Sequence, residues 1–143
     1  MWVRGAPLIG ATAAYGMAIA MTEDATDEGL RQAYDTLIAT RPTAVNLRWA
    51  LDRVRKMLSH KSASERRDEA LKLAHHMAEE EVGINKRIGE QGLEIIEKIA
   101  EEKSNGEPVR ILPHCNAGWL ATVDWGTATS PMYQAHNAGI PIH

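Results

Sequence analysis

At 143 residues with 44% apolar side chains, the chain has the length and the material for one ordinary globular domain, and it contains no phenylalanine at all. Its net charge of −3, with both signs mixed through the central segments, leaves no basic stripe for a phosphate backbone, so nucleic acid is not an expected partner. A single cysteine excludes an internal disulfide, and no apolar run reaches the ~18 residues that span a bilayer; a cytoplasmic protein without a membrane partner is expected.

In chain order, Pro7 suits a first helical turn, and the small-residue run "APLIGATAAYGMAIAM" reads as a buried helix ending at "MTEDATDEG". "EGLRQAYDTLIAT" follows with Leu30, Ala33, Tyr34, Leu37 and Ile38 at helical spacing. "TRPTAVNLRWALDRVRKML" restarts a helix at Pro42, with Val45, Trp49, Val54 and Leu58 as its apolar stripe. The charged stretch after it, capped at Ser64, keeps a helical period as far as "SNGEP". Gly83, Gly89 and Gly92 lie inside it; a mid-helix glycine costs about 1 kcal/mol relative to alanine, so they imply either close packing against another backbone or a break.

From Val109 the pattern changes. "VRILPHC" is β-prone, "NAGWLATVDWGTATSPMYQAHNAG" has the pattern of a helical crossover, and "IPIH" reads as the start of a second strand. The expected fold class is therefore α/β: a helical N-terminal domain over residues 1–107, then residues 108–143 as the first strand-helix-strand of a truncated Rossmann-like parallel sheet.

Cys115 would stand at the carboxyl end of the first strand, with the N–H groups of Asn116, Ala117 and Gly118 at the start of the next helix, an arrangement that activates a thiol. The local pattern equally suits an inert small hydrophobe. Arg4 and Arg41 each precede a proline-started helix, which fits either an anion cradle or two ion-paired surface arginines. His75 and His76 are adjacent and point to different sides of a helix, and with one thiol no spacing matches a metal site, so neither metal nor cofactor is expected. "GINKRIGEQG" lacks the spacing of a phosphate loop.

Four blocks, "VRGAPLIG", "TRPTAVNLRWAL", "INKRIGEQG" and "HCNAGWLATVDWGTA", together resemble the methylthioribose-1-phosphate isomerase family, in that family's order and over nearly the whole chain. The family is related to the regulatory subunits of the eukaryotic initiation-factor exchange complex and to ribose-1,5-bisphosphate isomerases. The resemblance implies an aldose-to-ketose isomerase of methionine salvage, taking 5-methylthioribose 1-phosphate to 5-methylthioribulose 1-phosphate. Phosphate on the anomeric oxygen blocks simple ring opening, so a general acid and a site sheltered from water are needed.

By the same resemblance Arg4, Gly5, Ala6 and Arg41 bind the sugar phosphate, Cys115 assists catalysis, and the full-length protein is a homodimer. The family's catalytic aspartate and its later Gln and Asn-Lys contacts have no counterpart here, so the chain is expected to be an internal fragment, inactive alone. Trp119 and Asp124 stand where the family commonly has smaller residues. A non-catalytic interaction module related to the exchange-factor subunits, and a ribose-1,5-bisphosphate isomerase, are the alternative expectations.

Overall fold

The computed structural model describes residues 2–104, 106–115 and 117–143. Among the described residues the chain forms five α-helices, α1 (Ala6–Glu23), α2 (Asp27–Thr40), α3 (Val45–Leu58), α4 (Ala63–Glu101) and α5 (Ser130–Asn137), with a short 3-10 helix at Trp119–Ala121. Contacts divide it into two compact units, Met1–Glu80 and Glu81–His143, the division falling inside α4.

In the first unit α1 is apolar nearly all round, as suits a helix surrounded by others, and it packs on α2 and α3. Gly10 lets α3 come close: a Cβ there would sit 3.3 Å from the Asn46 carbonyl and 3.6 Å from the Ala50 methyl. The core gathers Met17, Met21, Leu51, Val54 and Leu58 with Ala70, Ala74 and Met77 from the first half of α4. Each large side chain among them contributes about 1.5–3 kcal/mol by leaving water.

Caps set the helix starts. Thr26 accepts the Gly29 N–H at 3.1 Å to open α2. Before α4 it is Ser62, not Ser64, whose N–H donates to Glu65 at 3.0 Å in half of a capping box. Arg66 is buried and binds three places at once, donating to the Leu58 carbonyl at 3.0 Å, to the Ala25 carbonyl at 2.9 Å and to Asp27. That satisfies a guanidinium which would otherwise be costly to bury.

Two expectations for α3 need correction. Pro42 lies in a turn, and the helix begins only at Val45. Its buried stripe is Leu47, Ala50, Leu51, Val54 and Leu58, while Val45 and Trp49 are exposed, with the Trp49 ring under the Arg53 guanidinium at 5.5 Å. Leu47, Leu51, Val54 and Leu58 are spaced by four, three and four, one face of a helix, whereas Trp49 and Val45 stand five and nine residues before Val54, on its other side.

In the second unit the α/β expectation is overturned. The chain is helical, and among the described residues the β-prone runs form no sheet, only one isolated parallel bridge between Val109 and Ile142. Three backbone hydrogen bonds of 2.9 Å join residues 109–111 to 141–143. A parallel sheet is stabilised by successive ladders with strands on both sides, and two three-residue runs meeting once supply neither. Val109 instead joins Ile96 and Ala135 in a small helical core, flanked by Leu93, Ile111 and Ile142.

α4 is unbroken through its glycines. A Cβ at Gly89 would collide with Ser130 and Gln134, and one at Gly92 with the Pro131 ring, so these two glycines admit α5 against the helix. Gly83 meets only the end of Arg87, at 3.5 Å.

Candidate functional site

The sequence-predicted residues fall in both units, Arg4, Gly5, Ala6 and Arg41 in the first and Cys115 in the second. In the first, Arg4 is exposed and immediately precedes Gly5, the N-cap of α1, whose φ of 95° is a conformation that glycine adopts freely. No side chain caps this helix end and no acidic residue stands in its first turn. Its first N–H groups, with that of Ala6 leading, and the positive end of the helix dipole make a setting that favours an anion.

Arg41 terminates α2 as its C-cap and is half-buried. Its carbonyl accepts the Ala44 N–H at 3.0 Å, closing the turn that holds Pro42. It lines a cavity of about 500 Å³ together with Trp2, Ile9, Thr12, Leu37 and Leu47. The walls are mostly apolar, and Arg41 is the charged residue among those that line it. Arg41 thus stands at a helix C-terminus rather than just before a helix, because α3 starts four residues later.

In the second unit Cys115 is an exposed free thiol with φ of 70°, in the left-handed region that non-glycine residues seldom occupy. The helix expected to follow it is absent: residues 117–129 form a loop with one 3-10 turn, and α5 starts at Ser130. Gly118, Thr122 and Gly126 supply turn chemistry, so the small-residue pattern closes a loop rather than a crossover helix. With the next α-helix beginning only at Ser130, no α-helix start lies beside the thiol in sequence to lower its pKa. The Ala117 N–H donates to the Cys115 carbonyl at 3.0 Å, and Asn116 lies outside the described residues.

The loop closes on itself. The Ala117 carbonyl accepts from the Thr127 N–H at 3.0 Å and from the Thr129 hydroxyl at 2.8 Å, and the Thr122 hydroxyl receives the Gly126 N–H at 3.1 Å. Trp125 has φ of 68°, beside Gly126 at 74°. Trp119 packs its ring against Tyr133 with centroids 5.6 Å apart and stays half exposed. Asp124 accepts the Trp125 N–H at 2.7 Å.

Sequence reasoning missed the residues that hold this loop. Glu81 accepts the Val123 N–H at 3.0 Å and the Asn85 side-chain amide; Asn85 also reaches the Asp124 carbonyl at 3.4 Å. Burial pushes the Glu81 carboxyl above its ordinary value, against the lowering effect of its two donors. The available signal was spacing: Glu81, Asn85, Gly89, Gly92 and Ile96 follow one another by four, four, three and four, one face of a helix that is polar, then glycine, then apolar.

Among the described residues no cluster of three or more His, Cys, Asp or Glu could hold a metal ion, and no helix is long and apolar enough to cross a membrane.

The model of the initiation factor 2 subunit family matches residues 2–143. Over all 143 residues the chain is 59% identical to the methylthioribose-1-phosphate isomerases of Escherichia coli O45:K1 and of Rhizobium meliloti, covering 38% and 39% of their lengths. It thus spans about two fifths of the curated relatives it matches.

Two solved structures are similar over 99% of the chain. One is 5-methylthioribose 1-phosphate isomerase from Pyrococcus horikoshii, with a TM-score of 0.83 and 37% identity over 39% of that protein. The other is translation initiation factor eIF-2B subunit delta from A. fulgidus, with a TM-score of 0.77 and 40% identity over 41% of it.

Proposed function

The chain belongs to the initiation factor 2 subunit family, and from that premise we propose that it carries part of the substrate-handling machinery of a methylthioribose-1-phosphate isomerase. The observation that carries the reading is the 59% identity, sustained over every residue of the chain, with relatives bearing that name. In this reading Arg4, Gly5 and Ala6 at the start of α1 receive the sugar phosphate, the arginine fork adding to the helix dipole. Arg41 supplies a second cation beside an apolar cavity, a suitable setting for a molecule that is anionic at one end and a thioether at the other.

Cys115 assists the transition state from an exposed loop. The proton and hydrogen movements of an aldose-ketose conversion also need an acid-base group, which in this proposal lies in the remaining three fifths of the longer relatives' length. A homodimer of the longer protein and a cytoplasmic setting belong to the same reading.

Calorimetric titration of the 143-residue chain with 5-methylthioribose 1-phosphate tests it. Expected is saturable binding, weakened about tenfold or more by Arg41→Ala, the loss that goes with removing a charge-assisted hydrogen bond. No binding by a chain whose circular dichroism shows intact helices overturns the reading. Tighter binding of ribose 1,5-bisphosphate would redirect it to that substrate.

A second reading, a non-catalytic interaction module, draws on the likeness to the A. fulgidus delta subunit. It has no use for a presented thiol, and the 59% identity to the Escherichia coli isomerase weighs against it, as does the TM-score of 0.83 to the P. horikoshii isomerase beside 0.77 to the delta subunit.

A further inference from the structure

We infer that Glu81 is a positioning residue: through the Val123 N–H and Asn85 it moors the loop that follows Cys115 to α4, and so holds the thiol in its left-handed backbone conformation. The inference rests on the reading of Cys115 as a working group.

Two residues of this segment, Cys115 and Trp125, have φ near 70°, which for a side-chain-bearing residue persists only where the surroundings over-determine it. Inside the loop, Ala117 is buried and its carbonyl is held by Thr127 and Thr129, but those bonds tie the loop only to itself. Among the described residues, the side-chain hydrogen bonds that reach outside it are few. Glu81 holds Val123, Asn85 reaches the Asp124 carbonyl, and at the loop's end Ser130 donates to the Asn85 backbone carbonyl at 2.8 Å. Asn85 is 2% exposed and serves the loop through its side chain and α5 through its carbonyl.

Glu81 is a costly choice for a purely structural tie. It is half-buried, pairs with no cation among the described residues, and has Asp124 near enough to raise its pKa further. What a carboxylate offers here is two acceptor oxygens, one for each donor. A glutamine in its place would turn an NH2 group toward either Val123 or Asn85, donor against donor. An apolar residue would orphan the Val123 N–H.

The test uses the 143-residue chain labelled with 5-fluorotryptophan, whose four tryptophans are Trp119 and Trp125 in the loop and Trp2 and Trp49 in the first unit. Glu81→Ala is expected to shift or broaden the two loop resonances alone. It should speed Val123 amide exchange about tenfold, the effect of losing one charged acceptor, and change the rate of Cys115 alkylation by iodoacetamide about threefold or more. Should Glu81→Ala not fold, Glu81→Gln, equal in size, leaves one of the two donors facing an NH2 group and is expected to move the loop resonances and the thiol rate in the same way.

The double variant Glu81→Gln with Asn85→Asp is the rescue. Its new amide can donate to the new carboxyl while its carbonyl accepts from Val123, but residue 85 no longer donates an amide N–H to the Asp124 carbonyl, so Val123 protection and the thiol rate should return part of the way toward those of the parent. Unmoved loop resonances, or a lower melting temperature with an unchanged alkylation rate, would overturn the inference. None of these readouts involves substrate. A chain that fails to bind 5-methylthioribose 1-phosphate therefore sinks the proposed function without touching the mooring, and an unmoved thiol does the reverse.

Discussion

The two units solve the same problem by different means. The first buries methionine, leucine and alanine from four helices in one continuous apolar cluster. The second has a core of Ile96, Val109 and Ala135 with a few partly buried neighbours, and orders its long loop through side-chain hydrogen bonds. It also leaves Leu112 and Leu120 more than nine-tenths exposed. Stability in the first is spread over many atoms, whereas in the second it is concentrated in a few polar contacts and in glycines that allow close approach. Single changes in the second should therefore act locally and be felt at the loop.

The largest effect is expected in the first unit. Leu51 is completely buried, and Leu51→Ala should cost about 2–5 kcal/mol by lost transfer energy plus the cavity left behind. Urea unfolding followed by circular dichroism measures it. A cost under about 1 kcal/mol would mean that this cluster is not packed to native density.

Next comes a pair of glycine substitutions on one helix. Gly92→Ala places a methyl group against Pro131 and should destabilise the second unit by about 1–3 kcal/mol, reduced by alanine's better helix propensity. Gly83→Ala meets only ordinary contact and should stabilise by up to about 1 kcal/mol. Thermal melts of the two variants should move in opposite directions; movement in the same direction would mean that α5 does not sit on α4 through Gly92.

The smallest effect is electrostatic and its sign is specific. Burial raises the folded-state pKa of Glu81 above the ordinary 4.5, so between the two values the folded chain binds more protons than the unfolded one. This contribution is complete below pH 4.5 and is lost as pH rises through the folded value. Glu28 and Glu65 run the other way: Arg31 and Ser62 respectively lower their pKa, and their contributions fade as pH falls. Glu81→Gln should flatten the loss of second-unit stability on going from pH 4.5 toward neutrality, read as the pH dependence of Val123 exchange. A parent and variant with parallel profiles would show that the carboxyl does not titrate differently on folding.

What the sequence by itself determined was the helical half and the family. Pro7, the small-residue run and the periodicity of Leu30, Tyr34 and Leu37 placed α1 and α2 because helix starts and stripes are encoded within one or two turns of chain. The quoted blocks were specific enough to lead to a family whose model spans residues 2–143. Arg4, Arg41 and Cys115 are candidates by their place in those blocks, and that place did not carry their settings: Arg41 closes a helix rather than preceding one, and Cys115 is followed by a loop rather than a helix.

Tertiary structure alone decided the rest. Short apolar runs such as "VRIL" and "IPIH" are strands only if enough partners lie beside them, and here they found a single bridge and a helical core. The glycines of α4 could have been breaks or contacts until α5 arrived to use two of them. Glu81 and Asn85 looked like two more polar residues on a charged helix, because a hydrogen bond to Val123, 42 residues away, leaves no trace in local composition.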